Sequence, residues 1–228
     1  MGRAITLGNP PFSVDLRRSK RARRLSLRVS RLTGAVTLTI PQRAPEREAL
    51  AFLESREDWI AGHLAAIVPS DRPSLGGQVP FAGETLTLVG GLGRIRREGD
   101  SLILHSGKPV GPQLSAFYKT QARAALTEAS DRYAAQVGRS YRKITLRDTR
   151  SRWGSCSSQG GLMYSWRLVM APPAVLDYVA AHEVAHLVEM NHSAAFWSVV
   201  QSICPDYAPL RQWLRDNGED LHRVILTD

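Results

Sequence analysis

The sequence predicts an α+β protein in which strands come first and a histidine-bearing helix lies in the second half. Three observations predict this class: apolar and polar residues alternate in several stretches before residue 110, helical spacing dominates afterwards, and two histidines stand four residues apart. With 228 residues, the chain can form one large domain or two modest ones. We expect a basic, β-rich region with one long helix at 1–110 and a second domain at 111–228.

The first region is predicted to begin with a β-hairpin that has one basic face. Apolar residues alternate within 12–31 and 35–40, and Thr33 and Gly34 lie between these stretches. After Pro41, the helical spacing of apolar residues predicts a helix over 45–68. Pro, Ser and Gly are then frequent at 69–77, which predicts a loop or short linker.

Strands and one long helix are expected to follow this linker. Residues 79–89 and 94–105 have strand character, with glycines at the turns between them. The pattern breaks at 107–112, and an Ala-rich stretch at 113–137 then predicts a helix with an apolar inner side. No internal repeat is visible in the sequence.

The second domain is expected to place a helix after a short β region. A strand at 144–147, a Gly- and Ser-rich turn at 151–161 and a strand at 162–168 come first. Proline is tolerated in a first helical turn, so Pro172 and Pro173 are predicted to open the next helix. Ser193 is a suitable N-cap for a further helix, which leaves a tight turn before it.

The stretch His182-Glu183-Val184-Ala185-His186 is the most informative part of the chain. Imidazoles four residues apart lie on one face of a helix, where one metal ion can contact both. Val175 and Val179 continue the same stripe toward the N-terminus, so the histidines occupy positions typical of the core. Uncompensated imidazoles there would be costly, which favours a metal site. Glu183 directly follows the first histidine, as in H-E-x-x-H metalloproteases.

The third metal ligand is less well determined by the sequence. His192 follows His186 after five residues, a spacing that lets the chain turn back toward the ion, and we favour it. Glu189 and Asp206 are alternatives. A closed structural site would need a fourth strong ligand, and Cys156 is the available candidate. Three histidines would instead leave an open position for water on Zn²⁺, as in catalytic sites.

An open zinc site of this kind predicts hydrolysis of an amide bond. Water activated by the metal would attack the carbonyl carbon, with Glu183 as general base and then as proton donor to the leaving amine. Residues 162–168 are a candidate for an edge strand that pairs with extended substrate, and a packed core strand is the alternative. Four residues are candidates for stabilising the oxyanion, and the sequence does not choose among them: Arg152, Tyr164, Arg167 and Tyr207.

The charge distribution suggests an anionic partner as an alternative or additional function. The net charge is +9, and residues 1–44 account for all of it, with ten Lys and Arg against one Asp. A second basic cluster occupies 139–152. Such surfaces attract nucleic acid, although an ordinary solvated basic face is the simpler interpretation.

The composition also sets expectations about the compartment. The two cysteines, Cys156 and Cys204, are too few for a disulfide framework. No long apolar run and no secretory signal are visible, so we expect a cytoplasmic protein that does not enter a membrane. The oligomeric state is not predicted.

Several motifs together resemble the YgjP-like metallopeptidase family, a zincin family related to SprT-like and WLM domains. They lie at 152–158, 166–173, 176–179 and 191–193, around the histidine motif, and Phe196-Trp197 follows them. The resemblance implies a zincin-like metallopeptidase domain in which His182, His186 and His192 bind zinc and Glu183 is the catalytic base. One departure is visible, because Ser165 stands where the family usually has Asn.

These observations leave three functional hypotheses. A zinc-dependent metallopeptidase acting on proteins or peptides is the leading one. A nucleic-acid-binding adaptor with a structural zinc site is the alternative from another class. A protease recruited to DNA would combine them, as the resemblance to SprT-like relatives implies. The intact Glu183 favours catalysis, since a structural zinc site has no need of that carboxylate.

Overall fold

The fold was analysed in a computed structural model, which describes residues 3–8, 11–30, 33–66 and 72–226. The chain divides into two compact units, Met1–Ser70 and Asp71–Asp228. Each unit has its own cluster of buried apolar side chains. The boundary that the sequence predicted near residue 110 therefore falls inside the second unit.

The first unit is a four-stranded sheet followed by two helices. Its strands are β1 (Arg3–Leu7), β2 (Phe12–Ser19), β3 (Ser26–Val29) and β4 (Val36–Pro41), in the order β1-β2-β4-β3. The outer pairs are antiparallel and β2 runs parallel to β4. The helices are α1 (Glu46–Glu54) and α2 (Glu57–Ala65).

Alternation of apolar and polar residues explains which side chains of this sheet are buried, as the sequence predicted. Val36, Leu38 and Ile40 are buried on one face of β4, and Leu53 and Ile60 of the helices belong to the same core. The predicted hairpin is confirmed as β3 and β4, but the stretch 12–31 holds two strands, and β2 reaches β4 from the other side.

The single helix predicted over 45–68 is two helices. Its break lies at Ser55 and Arg56, and Glu57 and Asp58 then place negative charge at the N-terminus of α2, where the helix dipole favours it. The end of the predicted helix, residues 67 and 68, lies outside the described residues.

The second unit opens with a sheet of the same topology. Strands β5 (Gln78–Phe81), β6 (Glu84–Gly91), β7 (Arg96–Glu98) and β8 (Ser101–His105) lie in the order β5-β6-β8-β7, again antiparallel, parallel, antiparallel. This recurrence was not visible in the sequence. The strand character predicted for 79–89 and 94–105 is confirmed, and each stretch holds two strands with a turn near Gly83 or Gly99, whereas Gly90 and Gly91 lie within β6.

This sheet belongs to the second unit because it packs within its core. Leu86, Leu88 and Leu102 share that core with residues of α3 (Val110–Gln136). The turn between β5 and β6 is bonded to a 3-10 helix, Trp166–Met170: Ala82 N donates to the carbonyl of Val169 at 2.8 Å. Removing 72–110 would therefore uncover α3.

A three-stranded sheet lies between α3 and the histidine helix in chain order. It consists of β9 (Lys143–Arg147), β10 (Gly154–Cys156) and β11 (Gly161–Ser165), in the order β10-β11-β9. The predicted strand 162–168 is thus β11 for its first part only, because the 3-10 helix begins at Trp166. It is also the central strand, so the two edges of this sheet belong to β10 and β9.

Three helices complete the unit: α4 (Pro173–Ala185), α5 (Ala194–Ile203) and α6 (Tyr207–Asn217). Asp177 of α4 accepts hydrogen bonds from Arg132 and Tyr133 of α3, which fixes the histidine helix against the long helix. The predicted N-cap is confirmed, since Phe196 N donates to Ser193 Oγ at 3.3 Å. Within the described residues, no helix is both long and apolar enough to cross a membrane.

Candidate metal centre and active-site cleft

Three histidines converge where α4 ends and the chain turns toward α5. His182 lies on the last turn of α4, His186 directly follows the helix, and His192 lies in the turn. Their candidate ligand atoms all lie within 4.8 Å of one another, and they form the group of metal-binding side chains found among the described residues. The local order of helix, turn and helix thus produces the convergence.

The nitrogen spacing suits a single ion. The Nε2 atoms of His182 and His192 are 3.1 Å apart. Two nitrogens bound about 2.0–2.1 Å from one tetrahedral ion lie about 3.3 Å apart. The observed pair is therefore close to the geometry that a shared ion requires.

Hydrogen bonding leaves the correct nitrogens available. His186 Nδ1 lies 3.0 Å from the carbonyl oxygen of Glu189, so Nδ1 carries the proton and donates, and Nε2 keeps its lone pair. His182 Nδ1 is buried without a partner among the described residues, so its Nε2 likewise faces the group. Both rings fit the role of Nε2 ligands to a metal.

The environment of His182 and His186 favours their neutral form, which is the form that binds metal. Burial, followed by the neighbouring His186 and His192, lowers the pKa of His182 to about 3. The pKa of His186 is lowered as well, chiefly by burial. Protonation of His182 and His186 is thus disfavoured, and their lone pairs remain available to a metal ion.

Phe196 forms a common apolar floor under the three rings. It is fully buried on α5, and its ring centroid lies 4.4 Å from that of His186, 4.8 Å from that of His192 and 4.9 Å from that of His182. The side chain therefore holds the three imidazoles against one surface.

Glu183 lies beside the histidines and is only 5% exposed. Burial raises the pKa of its carboxyl to about 8, and the positive charge of Arg152 opposes that rise. A cation held by the neighbouring imidazoles would favour the charged form further. The carboxyl group is therefore placed where it can both accept and release a proton.

Gly154 of β10 determines how closely the strand approaches this carboxyl group. A Cβ atom at position 154 would lie 2.5 Å from Glu183 Oε1 and 2.6 Å from its Cγ. Real Cβ contacts are not that short, so glycine is required for β10 to pack on Glu183. The strand β10 thus forms one wall of the site.

A cleft of about 440 Å³ opens above the histidines. Glu183 and the three histidines line it. The other lining residues belong to β10, to the segment just before it, or to the turn after α4: Ser151, Arg152, Gly154, Ser155, Cys156 and Met190. Burial, then the charge of Glu183, raises the pKa of the Cys156 thiol to about 11, so it is uncharged.

The sequence matches the family described as "YgjP-like, metallopeptidase domain" over residues 23–217, which is most of the chain. The chain belongs to the YgjP-like metallopeptidase family. It is accordingly a metallopeptidase, a hydrolase that uses a metal ion, and the three histidines are residues that can bind one. The predicted family and the α+β class are both confirmed.

Two further comparisons add little to this assignment. The YgjP-like chain is similar to the crystal structure of the metallopeptidase zymogen of Pyrococcus abyssi abylysin, with 17% identity, a TM-score of 0.37, and coverage of 44% of this chain and 98% of that one. A likeness this distant carries no argument about the present chain. A search of curated proteins gives no significant match.

Not all the sequence candidates of this YgjP-like chain reach the cleft. Arg152 does, whereas Tyr164 is buried and its hydroxyl lies 3.0 Å from Ser130 Oγ. Tyr207 lies outside the cleft lining and stacks on Trp197. Glu189 contributes its backbone carbonyl to His186, and neither its carboxyl group nor that of Asp206 belongs to the histidine group.

Arg167 also has a structural role. Its guanidinium donates two hydrogen bonds to Asp148, at 2.7 and 3.0 Å, and two more to the carbonyl oxygens of Leu221 and Val224. These bonds hold the C-terminal segment against the 3-10 helix. The arginine is therefore fully engaged away from the cleft.

Sequence reasoning missed three residues of the site. Gly154, Met190 and Phe196 had no assigned role beyond a turn, a spacer or a core position, because their importance depends on contacts between distant elements. A signal for Gly154 was present, since a glycine within a strand often marks a close backbone approach.

Proposed function

We propose that this chain is a zinc-dependent peptidase in which His182, His186 and His192 hold the ion and Glu183 is the general base. The observation that carries the proposal is the convergence of three imidazoles and one buried carboxyl group on the same cleft. Neutral nitrogen ligands suit zinc, and three of them leave the fourth tetrahedral position open.

The chemistry divides between the ion and the protein. When bound, zinc supplies a Lewis acid that acidifies water and polarises the scissile carbonyl. Glu183 takes a proton from the attacking water and later gives it to the leaving amine. The close packing of Gly154 keeps the Glu183 side chain in place for both transfers.

We further propose that the substrate pairs with the free edge of β10. Ser165 N donates to the carbonyl of Trp153, and Ser157 N to the carbonyl of Gly161, so residues 153 and 157 bond inward to β11. In an antiparallel ladder the bonding direction alternates, so the N–H and C=O groups of Gly154 and Cys156 point outward. They border the cleft, where an extended peptide can accept and donate main-chain hydrogen bonds.

Metal content and hydrolysis of an unfolded protein test the peptidase proposal together. Wild type is expected to bind one zinc per chain and to cleave, and Glu183→Gln to keep its zinc and lose at least about 100-fold in rate. His192→Ala is expected to lose zinc. Glu189→Ala serves as the matched control, because the carbonyl that contacts His186 remains.

The outcomes separate the parts of this proposal. Stoichiometric zinc without cleavage that depends on Glu183 would refute the peptidase. Zinc retained in His192→Ala and lost in Glu189→Ala would assign the third ligand to Glu189 instead. Preference for manganese or iron over zinc in the purified protein would contradict the choice of metal.

We propose, as a second function, that the first unit binds double-stranded nucleic acid. Lys20, Arg21, Arg23 and Arg24, between β2 and β3, are exposed, and within the described residues none of them pairs with a carboxylate. This segment contains no aromatic residue on which an unpaired base can stack, so backbone contacts to a duplex are favoured over binding of single strands.

Salt dependence tests this second function. Replacing the four cations with Ser is expected to reduce the slope of log affinity against log salt by about 3 to 4, since each lost phosphate contact contributes about 0.9. Replacement of Arg94 and Arg215, two exposed cations of the second unit, with Ser is the control. An unchanged slope in the fourfold variant would overturn the proposal.

A further inference from the structure

Arg152 is the one Lys or Arg side chain among the residues that line the cleft. Arg152 lies along it with Ser151, Gly154, Ser155, Cys156 and Met190, and Glu183 is the only carboxylate among the lining residues. Peptide hydrolysis builds negative charge on the carbonyl oxygen, and a positioned donor there lowers the barrier. The composition of the lining thus leaves Arg152 as the cationic donor.

Other donors of comparable chemistry are already engaged. The Tyr164 hydroxyl is buried against Ser130, and the guanidinium of Arg167 is held by Asp148 and two backbone carbonyls. Tyr207 stacks on Trp197 outside the cleft. None of these three can turn toward a substrate without breaking the contacts that hold it.

The backbone of Arg152 is fixed, whereas its side chain is available. Thr149 Oγ1 donates to the Arg152 carbonyl at 2.8 Å. The next residue, Trp153, stacks on His222 with ring centroids 5.2 Å apart, and its carbonyl accepts the bond from Ser165 N. Within the described residues, the Arg152 guanidinium donates to no protein acceptor, so its N–H groups remain free for a ligand.

The position of Arg152 just before β10 places its guanidinium near the scissile carbonyl of a substrate paired with that strand. Arg152 lies two residues before the outward-facing edge at Gly154 and lines the same cleft as Glu183, and its positive charge lowers the pKa of the Glu183 carboxyl group. A peptide paired with this edge would therefore present the carbonyl that is attacked between Glu183 and Arg152.

Resting on the proposed peptidase function, we infer that Arg152 is a further catalytic residue that donates to the oxygen of the scissile carbonyl. As the water oxygen bonds to the carbonyl carbon, the carbonyl electron pair moves to its oxygen, and the guanidinium stabilises that negative charge. Glu183 receives the water proton. The carbonyl then reforms, the C–N bond breaks, and the amine nitrogen takes the proton from Glu183.

The test compares Arg152→Ala and Arg152→Lys in the zinc-loaded full chain. Loss of one oxyanion donor is expected to lower kcat about 100- to 1000-fold with KM within about threefold, and Lys is expected to restore part of the rate. Zinc content and circular dichroism should match wild type. Arg150→Ala is the control, because Arg150 is exposed, belongs to the same basic cluster and lies outside the cleft lining.

A binding measurement adds a readout that does not depend on turnover. A phosphinic peptide carries the tetrahedral oxyanion, whereas the product peptide does not. In calorimetry, Arg152→Ala is expected to weaken binding of the phosphinic peptide about 100-fold and binding of the product peptide less than threefold. Equal weakening of both ligands, or a raised KM with unchanged kcat, would overturn the inference and assign Arg152 to ground-state binding of substrate.

Failure of this inference is distinguishable from failure of the proposed function. If Glu183→Gln is inactive and Arg152→Ala retains wild-type kcat, only the role of Arg152 is refuted. If Glu183→Gln cleaves as fast as wild type, the peptidase mechanism itself is refuted.

Discussion

At the scale of residues, Gly154 matters because it has no side chain, which leaves room for the carboxyl group of Glu183. In Gly154→Ala, the new methyl group would lie 2.5 Å from Glu183 Oε1, so the carboxyl group or the strand must move. A shift of about 1 Å in a catalytic group costs about 100-fold in rate, and we expect a loss of that size in kcat with zinc content unchanged. Steady-state peptide hydrolysis and metal analysis measure both.

Gly62→Ala is the matched control for this substitution. Gly62 lies in α2, and a Cβ there meets nothing within 4 Å. We expect unchanged hydrolysis and a gain of about 0.5–1 kcal/mol in the free energy of unfolding. Activity of Gly154→Ala within twofold of wild type would show that Glu183 does not depend on this packing.

Ser165 is a second residue at which a substitution tests the structure, here through its effect on stability. It is fully buried, its Oγ has no partner among the described residues, and its backbone N–H already bonds to Trp153. Because an unpaired buried hydroxyl is unfavourable, Ser165→Ala is expected to be neutral or stabilising in denaturant unfolding.

Ser130→Ala provides the contrast, since Ser130 is equally buried but its hydroxyl pairs with that of Tyr164. Its removal leaves a buried hydroxyl without a partner and is expected to cost about 1–3 kcal/mol. A larger loss in Ser165→Ala than in Ser130→Ala would mean that Ser165 Oγ has a partner after all.

Single residues also show how far sequence reasoning reached. The histidine cluster was predictable because its members lie within eleven positions of one another, on a helix and the turn after it. The choice of Arg152 over Arg167 was not, because it depends on Asp148 and on Leu221 and Val224, far away along the chain.

At the scale of elements, β10 is the edge strand that borders the cleft, and the proposed pairing with substrate can be tested there. Cys156→Pro removes an N–H that points away from β11, and edge positions of this kind tolerate proline. We expect KM for an extended peptide to rise about fivefold to tenfold, the equivalent of one lost hydrogen bond, with the fold intact.

Two control variants show whether the rise in KM comes from the lost N–H group. Cys156→Ala keeps the N–H and is expected to leave KM unchanged, whereas Ser155→Pro removes an N–H that faces β11 and is expected to lower stability. A fivefold rise in KM for Cys156→Ala would show that the thiol, not the strand edge, contacts substrate.

Elements were predicted well where local pattern sufficed. Alternation predicted β4, and helical spacing predicted α3 nearly to its ends. The edge position of β10 was missed because strand order depends on β9, which pairs with β11 in parallel from far back in the chain. Periodicity identifies a strand but does not say which neighbours it has.

At the scale of the whole molecule, the two possible boundaries predict different fragments. A fragment of residues 72–228 retains the core of the second unit and is expected to fold and to bind zinc, whereas 111–228 lacks the β5–β8 sheet and exposes α3. Circular dichroism, thermal unfolding and zinc content of both fragments check this. A folded 111–228 with bound zinc would support the boundary near 110.

The apolar floor formed by Phe196 has a consequence for how the protein acquires its metal. Because one buried ring already touches all three imidazoles, the cage stands preassembled in the folded chain. Ion uptake then requires little rearrangement, and its free energy is not consumed in folding. We therefore expect the three imidazoles to stay together when the metal ion is removed, so that the folded chain can take the ion up again.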